Sequence, residues 1–280
     1  MRCFYYGRFF FIPFNMNMLK KIFFLLASCM LPFSGQCRVV ETARIADVIP
    51  LIDEDTWFLV DLDNTLFEAA QSLGHAKWFY DLANEKMGNG MTREEAIDAT
   101  YPEWIRTQKI CKVKPLEEDF VPSLISLQEK GIVVMGFTHR QTSVASATVK
   151  QVNSLGFSFT RTAPCEAVYS IPAKKSPAQF IHGILFVGDH NKKVDILIPF
   201  LSLVSATPKK IVFIDDKRKN VEELEPVLEG LGIEYIGVHY TAIEYAKPVY
   251  FRELADFQMK FLDQIMSNES ALLLMEKGIE

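Results

Sequence analysis

The chain has 280 residues, of which 49% are hydrophobic, enough for one large domain or for a core domain with an insertion. Its formal net charge of -5 and its pI near 5.7 argue against a nucleic-acid-binding surface. The sequence contains no Walker loop, Gly-x-Gly-x-x-Gly fingerprint, nucleophile elbow or repeat period, so these signatures of nucleotide-binding, serine-hydrolase and solenoid proteins are absent.

The first 37 residues differ in composition from the rest. A short basic segment at residues 18–21 precedes an apolar run of 10 residues at 22–31, and Pro32, Ser34 and Gly35 follow. This order is typical of a secretory signal peptide, which we expect at residues 1–37. Because a membrane span needs roughly 20 apolar residues, the run predicts no transmembrane helix in the mature chain. We therefore expect an exported protein, periplasmic or secreted.

Two other interpretations of this segment stay open. It could form a buried N-terminal helix. The stretch Leu26-Ala27-Ser28-Cys29 also resembles a lipoprotein cleavage site, although the apolar run before that cysteine is short and further apolar residues follow it.

The next feature is an apolar run, residues 57–60, that ends at the acidic residues Asp61 and Asp63. Four unbroken apolar residues are too few for a helix and indicate a strand that is buried on both faces. A similar run, residues 211–214, ends at Asp215-Asp216. In a parallel sheet, ligands bind outside the carboxyl ends of the strands. The sequence therefore predicts up to four carboxylates in one crevice.

Carboxylates that crowd one crevice repel each other unless a cation binds between them. Hard oxygen ligands favour Mg²⁺, which commonly takes one or two carboxylates together with waters and a substrate phosphate. This reasoning makes Mg²⁺ the expected cofactor and a small phosphorylated molecule the expected partner.

Seventy residues, 68–137, separate the first acidic motif from Thr138. A strand at 132–137 ends this interval, and a helix at 116–130 precedes that strand. About 45 of the intervening residues exceed what a simple crossover needs, so residues 68–114 are expected to be a helical insertion. Its aromatic residues are expected mainly to form the insertion's own core, with one or two facing the substrate: Trp78, Phe79, Tyr80, Tyr101 and Trp104.

At Asp61, Asp63 and Thr65 the chain resembles the haloacid dehalogenase (HAD) superfamily, in particular its phosphatase branch, whose first motif is Asp-x-Asp-x-Thr after an apolar strand. The resemblance extends over about residues 57–240. Within the superfamily, the chain most resembles a group of exported bacterial HAD-like proteins of unknown function.

The resemblance assigns three further motifs. Thr138 matches the second motif, a hydroxyl that donates to the phosphoryl group, and Arg140 completes the Thr-x-Arg of exported acid phosphatases as a candidate ligand of phosphate or of a substrate ring. Lys192, which lies 23 residues before Asp215, matches the third motif, and Lys193 is the alternative. Asp215-Asp216 matches the fourth.

The resemblance implies a Mg²⁺-dependent phosphomonoester hydrolase. Asp61 is the expected nucleophile, kept ionised by a dication and a lysine beside it, and Asp63 is the expected general acid and base. The metal is expected on the Asp61 carboxylate, the Asp63 carbonyl and the acid pair, with Asp216 as direct ligand and Asp215 behind it. Thr138, Arg140 and Lys192 are the expected substrate-binding residues. The alternatives are a phosphotransferase with the same intermediate, or a binding or effector protein without turnover.

The expected fold is an α/β doubly wound parallel sheet, a HAD-like Rossmannoid core with a small helical cap. The resemblance implies the strand order 3-2-1-4-5, with the first strand central. Residues 156–160 are expected as the third strand, and 183–188 as a strand of a hairpin near the site. The expected parts are a core at 38–67 and 115–250, a cap at 68–114 and one C-terminal helix within 251–280. That helix carries an apolar stripe of Leu254, Phe257, Phe261 and Ile265. Core packing is its simplest explanation, with a dimer contact second.

Cys111 and Cys165 lie outside the targeting segment. Their separation excludes a Cys-x-x-Cys metal motif. Exported proteins form disulfides, so these two residues are either paired or free buried thiols.

Overall fold

The central element is an eight-stranded sheet in a computed structural model that describes residues 38–173, 175–247, 249–262 and 266–278. The predicted signal peptide lies outside these residues. The strands are β1 (Arg38–Thr42), β2 (Thr56–Val60), β3 (Phe67–Ala69), β4 (Val113–Pro115), β5 (Val133–Thr138), β6 (Tyr169–Ile171), β7 (Ala178–Ile181), β8 (Ile184–Phe186), β9 (Lys210–Asp215) and β10 (Glu234–Tyr240).

Helices lie between these strands and after the last one. They are α1 (Ala76–Gly88), α2 (Arg93–Gln108), α3 (Phe120–Glu129), α4 (Ala145–Ser154), α5 (Lys193–Leu203), α6 (Arg218–Gly230), α7 (Ala242–Tyr245), α8 (Arg252–Lys260) and α9 (Asn268–Glu276). Short 3-10 helices occupy Ile45–Asp47, Ile49–Leu51, Thr142–Val144 and Phe159–Thr162.

The sheet has the order β1-β10-β9-β2-β5-β8-β7-β6, and its first six strands are parallel neighbours. Strand β2 is central because both of its faces are apolar. Phe58 and Val60 pack into one hydrophobic cluster, and Leu59 packs into the cluster on the opposite face. Alternation of side chains across a fully buried strand explains the unbroken apolar run. The predicted α/β class with a mostly parallel sheet is confirmed.

The expected order places the third strand beside β5, and the strand at that position is β8. The prediction of a strand at 156–160 is wrong. Gly156 ends the preceding helical segment with a φ of +78°, and Ser158 then accepts a hydrogen bond from the Thr160 N–H as the cap of a 3-10 helix. Phe157 and Phe159 pack edge to face, with ring centroids 4.8 Å apart. The segment is apolar because it fills the core beside the sheet. The predicted hairpin is present, as β7 pairs antiparallel with β8.

The insertion after β2 begins and ends in a two-stranded antiparallel ribbon, β3 with β4. Between these strands lie α1 and α2, and a capping box of Thr92 and Glu95 begins α2, as its sequence predicts. We call residues 76–108 the helical insert. In its core, the Phe79 ring lies 5.6 Å from Tyr101 and 5.1 Å from Trp104, measured between centroids.

The predicted single C-terminal helix is wrong, because two helices, α8 and α9, occupy this part of the chain. The Gln258 side chain bridges them, donating to the Met266 carbonyl and to Asn268 Oδ1 at 3.2 Å each. Leu254 and Phe257 are buried and pack against α9, so core packing of the stripe is confirmed for these two residues. Ile265 lies outside the described residues.

The C-terminal helices also support the helical insert. Gln258 Oε1 accepts a hydrogen bond of 2.9 Å from the Leu73 N–H, just before α1. Ala255 and Leu262 belong to the same hydrophobic cluster as Trp78. The segment from 249 onward therefore fixes the insert's position on the core.

Two further expectations concern membrane spans and disulfides. Within the described ranges, no helix combines the length and the apolar character that crossing a membrane requires. Cys111 is buried and Cys165 partly buried, and both are free thiols. The disulfide alternative is therefore not realised in this structure.

A substitution at Gly183 tests the turn between β7 and β8, the hairpin that supplies the strand beside β5. Its φ is +78°, and a Cβ at this position would lie 2.5 Å from the Phe159 carbonyl oxygen. We expect Gly183→Ala to lower the free energy of unfolding by about 2 to 4 kcal/mol, from backbone strain and overpacking together. Urea denaturation measures the loss.

Gly230→Ala is the matched control. This glycine ends α6 without a positive φ, and the methyl group of an alanine there would meet no neighbouring atom within 4 Å. The substitution should change the free energy of unfolding by about 1 kcal/mol or less. Equal losses in the two variants would contradict the proposed packing of the turn against Phe159.

Candidate active site

The carboxyl ends of β2 and β9 bring three carboxylates together. These strands are parallel neighbours, and the Asp61 N–H donates to the Ile214 carbonyl at 3.0 Å, which continues the pairing past the end of β2. Asp61, Asp215 and Asp216 each contribute an oxygen, and these oxygens lie within 4.8 Å of one another. The predicted crevice is therefore present, with three of the four expected carboxylates in one cluster.

A buried lysine lies between two of these acids. Lys193 Nζ donates to Asp61 Oδ1 at 2.7 Å, to Asp215 Oδ2 at 2.6 Å and to the Phe137 carbonyl at 2.6 Å. These three bonds use all three N–H groups of the ammonium. Burial by itself lowers the pKa of Lys193, but the carboxylates of Asp215 and Asp61 outweigh it and raise the pKa above its usual value. The lysine is therefore a fixed positive charge in the cluster.

The prediction that Lys192 is the lysine of the site is wrong, because its side chain does not reach the acids. The Lys192 side chain is 60% exposed, and its ammonium lies 3.5 Å from Glu223 on the surface. The physical reason is the start of α5. Lys192 has an extended backbone as the N-cap residue, whereas Lys193 is the first helical residue and directs its side chain inward. The predicted alternative, Lys193, is the one beside Asp61.

A tight turn after β2 connects the two acidic loops. Asn64 has a φ of +63°, a conformation that asparagine adopts more readily than most residues. Thr65 Oγ1 donates to Asp61 Oδ2 at 3.4 Å and accepts from the Asp216 N–H at 3.0 Å. Asn64 Nδ2 donates to Asp216 Oδ2 at 3.4 Å. This turn therefore fixes the spacing of Asp61 and Asp216.

Asp215 is held by groups that follow it in the chain. Asn220 Nδ2 lies 2.9 Å from both carboxylate oxygens, and the Lys217 N–H donates to Oδ1 at 2.7 Å. Asn220 therefore braces the loop that carries Asp215. The N-cap position of α6 belongs to Lys217.

The cluster carries more negative than positive charge, because three carboxylates face the Lys193 ammonium and the more distant ammonium of Lys217. Burial raises the pKa of Asp61 to about 8, with Lys193 opposing the shift and Asp215 and Asp216 adding to it. Burial and the charge of Asp215 likewise raise the pKa of Asp216 to about 7. The expectation of an ionised Asp61 assumes a dication as well as a lysine beside it, and the protein residues supply only the lysine. An ionised Asp61 requires a further positive charge.

A divalent cation fits this donor set. The three acids offer hard oxygen ligands, which Mg²⁺ prefers, and the cluster lacks the positive charge that would neutralise it. Carboxylates that share a site without such a charge raise each other's pKa, as they do here.

Asp63 is held by a different cation, Arg140. The guanidinium donates from Nε to Oδ2 and from Nη2 to Oδ1 of Asp63, both at 2.7 Å. Its Nη1 donates to Thr148 at 3.0 Å and to Gln151 at 2.6 Å. Arg140 is only 4% exposed, so it orients Asp63 from behind. Its predicted contact with substrate stays a prediction.

Thr138 ends β5 beside these acids and is buried. Its Oγ1 accepts from the Arg140 N–H at 3.1 Å, which leaves the hydroxyl hydrogen to donate elsewhere. Thr138 lines the same pocket as Asp61 and Asp63, so it lies where its predicted role requires it.

The helical insert closes this pocket, which has a volume of about 50 Å³. More of its aromatic residues face the pocket than the sequence suggested, and the pocket-lining ones are Phe79, Tyr80, Tyr101 and Trp104. The Tyr101 hydroxyl donates to Asp189 Oδ2 at 2.8 Å and accepts from the Gln141 N–H at 3.1 Å. These bonds tie the insert to the core beside the acids.

Two titratable groups of the pocket were given no role by sequence reasoning. Burial raises the pKa of Asp189 to about 6, although its bond from Tyr101 opposes the shift. Burial lowers the pKa of His139 to about 3, so this imidazole is neutral at physiological pH. Asp189 is thus a partly ionised acceptor in the pocket wall.

The fold and the site define an α/β protein with an acidic, lysine-bridged cluster at the carboxyl edge of a parallel sheet. A family model described as "Protein of unknown function (DUF2608)" matches residues 39–272, and the chain belongs to this family. Among solved structures, none matches the chain.

Relatives from two bacterial genera match almost the whole chain. A Chlamydia pneumoniae protein that carries the name "Putative outer membrane protein" is 31% identical over 90% of this chain and 95% of its own length. A Chlamydia trachomatis protein of the same name is 29% identical over 92% of this chain and 98% of its own length. An uncharacterized protein of Rickettsia prowazekii is 23% identical over 94% and 100%.

The raised pKa values of Asp61 and Asp216 make stability depend on pH and on metal. In the unfolded chain these acids ionise near pH 4, below their folded-state pKa values of about 8 and about 7. The unfolded state therefore releases protons first, and stability should fall as pH rises from about 4 to 8 in chelator. A Mg²⁺ concentration 100 times the Kd at pH 8 should add about 2.7 kcal/mol to the free energy of unfolding at pH 8. The same concentration should add much less at pH 5, where protons compete for the carboxylates.

Thermal and urea unfolding at both pH values, with Mg²⁺ and with chelator, measure these changes. Asp216→Asn should remove part of the loss of stability at pH 8 in chelator, because burial still raises the pKa of Asp61. Asp195→Asn, at an exposed position in α5, is the matched control and should behave as the unchanged protein. A Mg²⁺ effect of the same size at both pH values would contradict this account of the cluster.

Proposed function

We propose that this protein is a Mg²⁺-dependent phosphomonoester hydrolase of the HAD type that acts through an aspartyl-phosphate. The observation that carries the proposal is the Lys193 ammonium, which lies 2.7 Å from Asp61 and 2.6 Å from Asp215 at the edge of the central strands. A nucleophilic carboxylate beside a fixed cation and a second acid, Asp63, are the groups that phosphoryl transfer through an aspartate requires.

In the first step, an Asp61 oxygen attacks phosphorus as the bond from phosphorus to the leaving oxygen breaks. Asp63 gives its proton to that oxygen, so the alcohol departs neutral. Lys193 offsets charge on the Asp61 side, and the Thr138 hydroxyl donates to a phosphoryl oxygen. Arg140 keeps both Asp63 oxygens in a fixed orientation.

In the second step, Asp63 takes a proton from water as the water oxygen attacks phosphorus. The bond from phosphorus to Asp61 breaks, which returns the carboxylate and releases inorganic phosphate. The same intermediate with an alcohol in place of water gives phosphotransfer, so the nature of the acceptor distinguishes a hydrolase from a phosphotransferase.

Asp61, Asp216 and the Asp63 carbonyl are the proposed metal ligands, with Asp215 behind them as the partner of Lys193 and Asn220. When bound, Mg²⁺ supplies positive charge to the phosphoryl oxygens and keeps Asp61 ionised. The surplus of carboxylates over cations in the described cluster supports this assignment.

We assign the helical insert the role of the HAD cap. Its aromatic side chains line the pocket over the acids, so a bound substrate is shielded from bulk water. The ties from Tyr101 to Asp189 and from Gln258 to Leu73 support a cap held close to the core.

The protein is proposed to be exported. The support is the signal-peptide pattern at residues 18–37 and the name shared by the chlamydial relatives. Export places the site in the periplasm or outside the cell.

Phosphate release from an aryl phosphate tests the function, with the protein lacking residues 1–37, in Mg²⁺ and in chelator. Turnover should require Mg²⁺, and Asp61→Asn should lower it by about 10³-fold or more, because the variant lacks the nucleophile. Asp195→Asn, the matched exposed control, should retain the rate within about twofold.

A broad panel of phosphate esters extends the test to substrates that the cap admits. Absence of turnover across the panel, with Mg²⁺ bound, would contradict the hydrolase and favour a binding protein on the same scaffold. Product that appears only when an acceptor alcohol is added would favour a phosphotransferase.

A further inference from the structure

A second cavity, of about 300 Å³, lies next to the pocket over the acids. Tyr80, Lys217 and Asn220 line both spaces, so the two are adjacent. We call the second space the outer cavity. Neither the proposed chemistry nor the cap assignment gives it a role. Its volume is at the lower end of the range for small-ligand pockets, so it has room for one end of a small molecule.

The outer cavity is basic, although the protein as a whole is acidic. Four cationic side chains line it, namely Arg93, Lys192, Lys217 and Lys219. Two acids line it as well, Asp189 and Glu223. The chain has a formal net charge of -5, so a wall with twice as many cations as acids departs from the surface average. Such a wall attracts anions towards the pocket.

The two acids of the outer cavity offset only part of this charge. Glu223 alone faces two ammonium groups, at 3.5 Å from Lys192 and 3.6 Å from Lys219. Asp189 accepts the hydrogen bond from Tyr101 on the pocket side. Arg93 and Lys219 are exposed, which leaves their charged groups accessible to a ligand.

Lys217 stands between the two spaces. Its ammonium lies 5.1 Å from the centroid of the Tyr80 ring and 3.4 Å from the Tyr80 hydroxyl. The ring therefore holds the cation at the boundary, where it lines the pocket over the acids and the outer cavity.

We propose that the outer cavity binds a second anionic group of the substrate, a carboxylate or a second phosphate, through Arg93, Lys217 and Lys219. The substrate class is thus a small phosphomonoester with another negative charge about one short carbon chain away from the ester. This inference rests on the proposed function for the ester end. Arg93 lies on the helical insert and Lys219 on the core, so such a substrate also joins the two.

Three matched esters test the inference: 3-hydroxypropyl phosphate, 3-phosphooxypropanoate and propane-1,3-diol bisphosphate. The first has a neutral end, and the others carry a carboxylate or a phosphate. We expect kcat/KM to be about tenfold higher for at least one anionic ester, the size that several partly exposed charge pairs supply. The better of the two identifies the preferred anion, and added salt should reduce the preference.

Substitutions locate the source of this preference. Arg93→Gln and Lys219→Gln should each lower the ratio of kcat/KM between anionic and neutral esters by about threefold, and the double variant should lower it further. Arg106→Gln removes the same charge from an exposed position of the same helix outside the cavity, so the ratio should stay unchanged. An equal loss in Arg106→Gln would overturn the inference.

Binding separates a failure of this inference from a failure of the proposed function. Turnover of all three esters with equal kcat/KM overturns the outer site and leaves the hydrolase in place. If no ester is turned over, calorimetric titration with 3-hydroxypropylphosphonate and 3-phosphonopropanoate decides. Tighter binding of 3-phosphonopropanoate that is lost in the double variant supports the outer anion site even if the hydrolase proposal fails. Equal binding of the two phosphonates overturns the outer site.

Discussion

The buried ammonium of Lys193 is the interaction on which the site depends. A charged group without water is stable only when it is paired and hydrogen-bonded, and Lys193 finds all its partners at strand ends. Through this one group, the start of α5 is fixed to the loop after β2, to the end of β9 and to a carbonyl of β5. Removing the ammonium would leave Asp61 and Asp215 facing each other without compensation.

Asp61 and Asp63 are close in sequence but form ion pairs with different cations, which gives the two carboxylates different surroundings. Asp61 and Asp63 are two residues apart, yet Lys193 contacts the first and Arg140 the second. Asp61 also shares its cluster with Asp215 and Asp216, where burial and repulsion call for one more positive charge. In the proposed mechanism, this short loop presents one carboxylate to a metal and a phosphorus atom and another to a leaving group.

The elements predicted best were those whose cause is local. The runs at 57–60, 132–137 and 211–214 are apolar because both sheet faces are buried, and β2, β5 and β9 follow them closely. The run at 156–160 is equally apolar for a different reason, since its phenylalanines fill the core in a 3-10 helix. Composition alone does not distinguish these two ways of burying a segment.

Contacts between distant residues set the remaining features. Which of two adjacent lysines points inward depends on where α5 begins, and a shift of one residue reverses the assignment. The pairing of Arg140 with Asp63 joins residues 77 positions apart. Strands β3 and β4 are three residues each, too short for a periodic signal. The break between α8 and α9 likewise reflects tertiary contacts of Gln258.

The central claim is that Asp61 becomes phosphorylated during turnover. The direct measurement is mass spectrometry of the protein after rapid acid quenching in the presence of an aryl phosphate and Mg²⁺. The account predicts one phosphoryl group on the peptide that contains Asp61, removable by hydroxylamine as an acyl phosphate is, and absent from Asp61→Asn. A phosphoryl group on any other residue, or one that resists hydroxylamine, would contradict it.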